Sequence, residues 1–420
     1  MTDLQRTTFG DVFAVAEFRA LWAAQALSLA GDQLARVALS VLVYGRTHSP
    51  LLTGLVYALS FLPAIVGGPL LGGLADRLPR RQLMVCCDAA RVLLVAAMAL
   101  PRVSLPLLCV LLVGVELLSA PFQAARAALL PEVFPDDRYV VASAVGNITG
   151  QCAQVLGFVA GGSLAALLGP SRTLLVDAAT FLASALLLAV GVRERPAPRS
   201  AAGRSAEETL SPLGSFPAGT HLVVGNRRLR ALVALAWLCG FYVVPEGLAA
   251  PYAASLGGHA ATVGLLLAAQ PAGAVLGALV LARLVTPDRR LGLMGPMAVL
   301  SCLPLLRCAA NPGTEVTLVL WALSGVGTAY QLAANVAFVA AVPDAGRGQA
   351  FGLVQSGIVA VQGVAILAAG AAALTVAPST VVAASGGLGA AAAAVVWQRR
   401  RRPSRSVAAG RTEGAAQVVS

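Results

Sequence analysis

Lysine is missing from this chain: all 30 basic residues among its 420 are arginine. Without lysine there is no Gly-Lys-Ser/Thr phosphate loop, so the chain does not hydrolyse ATP by itself. Schiff-base chemistry is excluded for the same reason. Histidine is nearly absent too. His48, His221 and His259 stand far apart in predicted loops, without the His-Glu-x-x-His spacing of a zinc site. No Gly-x-Ser-x-Gly elbow occurs either. Cys86, Cys87, Cys109, Cys152, Cys239, Cys302 and Cys308 all fall inside apolar stretches. They read as buried small hydrophobes rather than disulfides or metal ligands. No enzyme activity, cofactor or metal is expected.

Charge is scarce as well. Charged residues make up 12% of the chain and apolar residues 58%, with mean hydropathy +0.80. Soluble domains carry about a quarter charged residues, so this chain cannot cover a water-facing surface. What it has instead is apolar runs of membrane-spanning length. Twelve predicted spans cover roughly 18–44, 50–75, 82–101, 105–130, 140–168, 172–192, 231–255, 261–285, 291–310, 314–341, 350–375 and 378–398. Met1–Glu17 is polar and lacks the apolar core of a signal peptide, so the first span is expected to remain as a signal-anchor. The glycine pairs Gly68/Gly72, Gly157/Gly161 and Gly273/Gly277 are placed for close helix approach.

The net charge of +11 suggests nucleic acid only until the arginines are located. They gather between alternate spans, at Arg77, Arg80 and Arg81, Arg138, Arg193–Arg230, Arg289 and Arg290, Arg347, and from Arg399 onward. The intervening loops hold little more than Arg46, Arg102 and Arg172. By the positive-inside rule both termini and the long polar stretch are cytoplasmic. That stretch gives the expected organisation: a six-helix bundle over 1–192, a linker over 193–230, a second bundle over 231–398 and a basic disordered tail over 399–420. The halves also echo each other. Pro135-Asp136-Asp137-Arg138 precedes span five, and Pro343-Asp344-Ala345-Gly346-Arg347 precedes span eleven. The expected fold is an all-α integral membrane protein with twelve transmembrane helices in two six-helix pseudo-repeats.

The strongest local signal is GGLADRLPRR, Gly72 to Arg81, between spans two and three. It resembles the signature loop of the major facilitator superfamily through Gly72, Leu74, Ala75, Asp76, Arg77, Arg80 and Arg81. Pro79 replaces the usual glycine. SLAGDQLARVAL, AARAALLPE and the VLGFVAGG of span five look like the drug-exporter branch that includes macrolide and siderophore exporters; in the last, Phe158 stands where that branch usually has proline. The resemblance implies that Asp76 faces the N-terminus of span eleven near Gln349, and that Arg80 pairs with Glu132. Two readings of the loop stay open: a conformational latch, which an acid facing a helix N-terminus would supply, or a topology signal only.

Charges inside the spans come next, because a bilayer rarely holds one idly. Asp32/Arg36 at i, i+4 and Asp88/Arg91 at i, i+3 are candidate intramembrane ion pairs. Glu116 and Glu246 have no cation at helical spacing; with Asp32 they are the proton-coupling candidates. Asp177, a turn and a half from Arg172, reads as structural. Gln25, Tyr57, Asn147, Gln151, Tyr242, Gln331, Asn335 and Gln355 are among the polar residues that either line a cavity or join helices.

The resemblance implies a secondary transporter in a bacterial cytoplasmic membrane. It would act as a monomer, exchanging protons for an amphipathic small molecule such as a drug, antibiotic or siderophore. An importer of the same fold and a non-transporting receptor or scaffold are the alternatives.

Overall fold

The computed structural model describes residues 8–61, 74–75, 77–134, 136, 138–196, 224–342 and 347–401, and among them every regular element is helical. After a short helix at Phe9–Phe13, α1 runs Ala16–Thr47 and ends where His48 turns left-handed at φ 48°. Ser49 caps α2, Pro50–Leu59, by accepting the Leu52 N–H at 3.3 Å, with Pro50 preset for the first turn. Next come α3 (Arg80–Met98), α4 (Leu105–Val133), α5 (Arg138–Leu168) and α6 (Pro170–Gly191), the last entered through Gly169 at φ 84°.

The following span, α7, consists of three pieces, Arg227–Trp237, Cys239–Tyr242 and Val244–Ser255. Pro245 has no N–H to give to the preceding turn, which accounts for the break just before it. Then follow α8 (Ala260–Leu284), α9 (Pro287–Leu300, continued by a 3-10 turn over Leu303–Ala310) and α10 (Thr314–Thr328 and Tyr330–Ala341, interrupted at Ala329). The last two are α11 (Arg347–Ala372) and α12 (Pro378–Arg401).

Among the described residues, ten helices are long and apolar enough to cross a membrane. The other two expected spans differ from this pattern for identifiable reasons. The one at 50–75 begins as α2, and its residues 62–73 lie outside the described residues. The one at 82–101 is α3, 19 residues long, which carries Arg80, Arg81, Asp88 and Arg91. Residues 197–223 of the linker and 402–420 of the tail are likewise outside the described residues.

Without a hydrophobic drive between helices in lipid, contacts rely on small residues that let backbones meet. Gly157 and Gly161 of α5 face Gln33 and Leu34 of α1, and Gly273 and Gly277 of α8 face Ala322 and Val326 of α10. A Cβ on Gly273 would collide with the Ala322 carbonyl oxygen, so only glycine fits there. The Gly68/Gly72 pair lies outside the described residues. Large side chains such as Leu93, Leu167 and Val190 point outward, as a lipid-facing surface requires. Cys86 and Cys152 are exposed on that periphery, against the expectation of burial, while Cys87, Cys239, Cys302 and Cys308 are buried.

The apolar core divides at the linker. Two clusters are built from residues 12–192, and a larger one from the second half. That larger cluster also takes in Val37, Tyr57, Ala58 and Phe158 from the first half. The halves therefore share a packed seam. It lies at the end of the bundle away from the arginine-rich loops. There a Cβ on Gly162 of α5 would sit 2.7 Å from Gly264 Cα of α8, and one on Gly54 of α2 would sit 3.2 Å from the Ile366 carbonyl oxygen of α11.

Candidate functional site

At the arginine-rich end, side chains tie the first half to the start of the linker. Arg80 Nη1 lies 2.5 Å from Glu132 Oε1 and donates to the Ala128 carbonyl at 2.8 Å. Arg195 bridges Glu17 and Glu132, and its hydrogen bond to Glu17 holds that guanidinium above its ordinary range. Arg81 donates to the Ala189 carbonyl and reaches Glu194 at 3.5 Å, while Arg77 is exposed. Of the signature loop, Gly72 and Asp76 lie outside the described residues, while Ala75 is buried.

The middle of the first half holds a dense group of charges. Arg91 Nη1 stands 3.5 Å from Asp88 Oδ1, and Ser184 donates to Asp88 Oδ2 at 2.6 Å. The Arg91 guanidinium is sandwiched between the rings of Phe122 and Phe181, 5.3 and 5.2 Å away. Both charges are fully buried, and each is the other's nearest counter-charge, although Arg91 Nε is left without a hydrogen bond among the described residues. Asp32 and Arg36 share one face of α1 but make no nitrogen–oxygen contact within 4.0 Å. Instead Asp32, Arg36, Glu116 and Asp177 line one small cavity between α1, α3, α4 and α6, about 10 Å³ in volume and thus on the scale of a single water. Asp177 presses against Gly31, and its Oδ2 is buried without a hydrogen bond.

A single bond carries this group across to the second half. The Tyr57 hydroxyl donates to Glu246 Oε2 at 2.8 Å. Arg36 lies in the electrostatic field of Glu116, Tyr57, Asp32 and Glu246, and its guanidinium also covers the Phe61 ring at 5.6 Å. Arg91 reaches Asp32, Glu116 and Asp177 in the same way. Five carboxylates (Asp32, Asp88, Glu116, Asp177 and Glu246) thus share two arginines, and one of those arginines is already matched to Asp88.

In the second half, polar groups stitch together the breaks in α7 and α10. Tyr330 donates to the Leu235 carbonyl at 2.7 Å and Gln270 to the Tyr242 carbonyl at 3.1 Å, while Gln331 bonds the Tyr242 hydroxyl. These bonds replace those the interrupted helices lose. Beside them lies the main cavity, about 510 Å³, lined by Gln151 of α5 together with Thr328, Gln331, Asn335, Phe338 and Gln355 of the second half. All of its lining comes from the arginine-rich-end portions of the helices. Among the described residues this cavity thus lies toward that end, while the seam joins the halves at the other.

Two members of this assembly are not singled out in the sequence. Asp177 reads there as structural, and only tertiary packing brings it to Asp32 and Glu116. Arg126 enters there only within AARAALLPE, the segment that resembles exporters, and it stands about two turns inside α4. Counting back from the end of that helix is the signal that finds it.

The comparisons decide the lineage. The sequence pattern of the Major Facilitator Superfamily matches residues 21–248 and 232–420. The chain belongs to this superfamily. It is 31% identical over 205 residues to the uncharacterised MFS-type transporter YfiS of Bacillus subtilis (strain 168), a stretch covering 47% of this chain and 49% of that protein. The match thus spans about half the length of its curated relative. Among solved structures, the peptide transporter POT in complex with sulfate superposes with a TM-score of 0.71 at 14% identity, covering 94% of this chain and 95% of that one. The nucleoside transporter NupG gives 0.69 at 15% identity, over 91% and 100% of the two chains. A bacterial homologue of the human lysosomal transporter Spinster, inward-facing and occupied, gives 0.69 at 14%, over 91% and 96%. At these identities the likeness is one of fold. It identifies the chain as a multi-pass membrane protein of the superfamily's helical architecture.

Proposed function

We propose that this protein is a secondary transporter that exchanges protons for an amphipathic small molecule by alternating access, in the direction of efflux. One observation carries the reading: carboxylates outnumber arginines in the membrane interior, and that excess is joined to the seam between the halves through Tyr57 and Glu246. A surplus of buried acids needs protons or a cation to balance it. Because Glu246 belongs to the second half and Arg36 to the first, the charge state of Glu246 alters the attraction across the seam. Ionised Glu246 accepts the Tyr57 hydrogen bond and faces Arg36, which favours the sealed arrangement. Protonation removes the attraction to Arg36 and lets the halves part at that end.

In this reading the arginine-rich end is cytoplasmic, as the positive-inside rule indicates. The 510 Å³ cavity is then the inward-facing binding site. Its amide, hydroxyl and aromatic lining suits a ligand with one apolar and one polar portion. Efflux follows from the exporter-like segments SLAGDQLARVAL and AARAALLPE. The Arg80–Glu132 pair and its Arg195 extension form the fixed base of the cytoplasmic latch, in which Asp76 would engage the start of α11 when the inner side closes.

The test is transport in proteoliposomes across a panel of amphipathic compounds with an imposed pH gradient. Accumulation driven by the gradient and abolished by a protonophore is expected for at least one compound. Gradient-independent equilibration of every transported compound would refute coupling, and no flux at all would favour a receptor or scaffold.

A further inference from the structure

Three arginines, Arg36, Arg91 and Arg126, lie about two turns or more from the ends of the described helices of the first half, and one differs from the others. Arg36 and Arg91 both face carboxylates. Arg126 of α4 makes no ion pair and no hydrogen bond among the described residues, and its Nε is shut off from solvent. Its Nη2 points at Gly146 of α5, where a Cβ would stand 2.9 Å from it. The same Gly146 position is 3.6 Å from Oε1 of Gln25 in α1. Gln25 is 6% exposed and likewise makes no hydrogen bond among the described residues. A guanidinium and an amide, both unsatisfied, thus converge on a spot where the backbone carries no side chain. One residue onward is exposed Asn147, and a turn beyond it on the same face is Gln151, which lines the main cavity.

An unpaired guanidinium inside a membrane protein is costly unless something anionic visits it. Its fork matches a carboxylate, which can accept two parallel N–H bonds. Gln25 can rotate its amide to donate to the same group. Arg126, Gln25 and Gly146 are not themselves part of the cavity lining, whose first-half member is Gln151; we propose that they form an anion subsite next to that lining, reached past Asn147 and Gln151, so that the transported molecule carries a carboxylate or similar anionic group beside its apolar part. The proposal rests on the cavity being the transport site. Bound to the subsite, the ligand's charge neutralises Arg126 while its apolar portion reaches Phe338 and Phe351 across the cavity.

The experiment does not require the natural substrate. A variant without native cysteines, carrying Asn147→Cys, is reconstituted in phosphatidylcholine nanodiscs. Its reaction rates are measured with an anionic and a cationic methanethiosulfonate of similar size. A cation at Arg126 should favour the anionic reagent by roughly five- to tenfold over its ratio for free cysteine. Arg126→Lys should keep the preference and Arg126→Gln should abolish it. Added 2-naphthoate should slow the anionic reaction in the Arg126 protein, whereas 2-naphthamide should not.

If both reagents react at a ratio indifferent to Arg126, the subsite is refuted and the cavity stands. If neither reagent reacts at all, the cavity reading falls with it. Protection by phosphatidylglycerol in the nanodisc but not by naphthoate would assign the site to a lipid headgroup and overturn the substrate proposal.

Discussion

Tyr57 and Glu246, 189 positions apart in sequence, are joined at 2.8 Å across the two halves of the molecule. Tyr57 is buried in α2 and Glu246 sits at the break in α7, so the bond exists only while the seam is closed. Tyr57→Phe removes the hydroxyl and keeps the ring. Hydrogen bonds in membrane proteins are worth about 1 kcal/mol, so the closed seam should lose roughly fivefold in population. Electron–electron spin distances between labels at the ends of α2 and α11 should show a larger open fraction, with little change in thermal stability.

Asp88 and Arg91 give a contrasting prediction, because both members of the pair are fully buried within one half. Arg91→Ala would leave Asp88 buried beside Ser184 with no counter-charge, at a cost of about 3–5 kcal/mol. Purified variant protein should unfold at a clearly lower temperature. The double variant Asp88→Asn/Arg91→Gln, which keeps polar groups but removes both charges, should recover most of the loss. If the double variant were no better than the single one, the pair would not be the unit described.

Gly264 supplies a steric test of the seam. A Cβ there would fall 2.5 Å from the Phe158 carbonyl oxygen and 2.6 Å from Gly162 Cα, atoms that cannot move aside. Gly264→Val should therefore hold α5 and α8 apart and bias the molecule toward opening at the sealed end. A cysteine at Ser163 should then react faster with an impermeant maleimide applied from that side.

At the arginine-rich end, Glu132 forms ion pairs with both Arg80 and Arg195, the latter at 3.8 Å. These groups are partly exposed, so Glu132→Gln should cost less than about 1 kcal/mol of stability. Its expected effect is on the linker, whose first residues Arg193–Pro196 rest on this network. Limited proteolysis within 193–230 should begin earlier in the variant than in the parent protein.

How much of this was legible in the sequence varies by feature. The helical membrane architecture was, because apolar runs near twenty residues have few other readings. The small-residue pairs of α5 and α8 were also legible, since GxxxG spacing directly encodes close approach. Arg80 with Glu132 came from the resemblance, and the structure places them in contact. The i, i+4 logic for Asp32 and Arg36 put them on one face of α1, but tertiary packing turned Arg36 toward Phe61 and the acids of other helices. Asp177 reads as structural in the sequence, where Arg172 is the nearest charge; in the structure it lies with Asp32 and Arg36 of α1 and Glu116 of α4. Pairing across 189 residues, as in Tyr57–Glu246, leaves no local periodicity to read.

Proton coupling is tested most directly by comparing Glu246→Gln with the parent protein in proteoliposomes, for a compound that the parent accumulates under a pH gradient. Glutamine keeps the shape and hydrogen-bonding capacity of the side chain but cannot release a proton. Uphill accumulation should be lost, while downhill exchange of labelled for unlabelled compound continues at a comparable rate. Asp32→Asn and Glu116→Gln, measured alongside, show whether the other acids share the role. Undiminished uphill accumulation in all three variants would contradict proton coupling through this cluster.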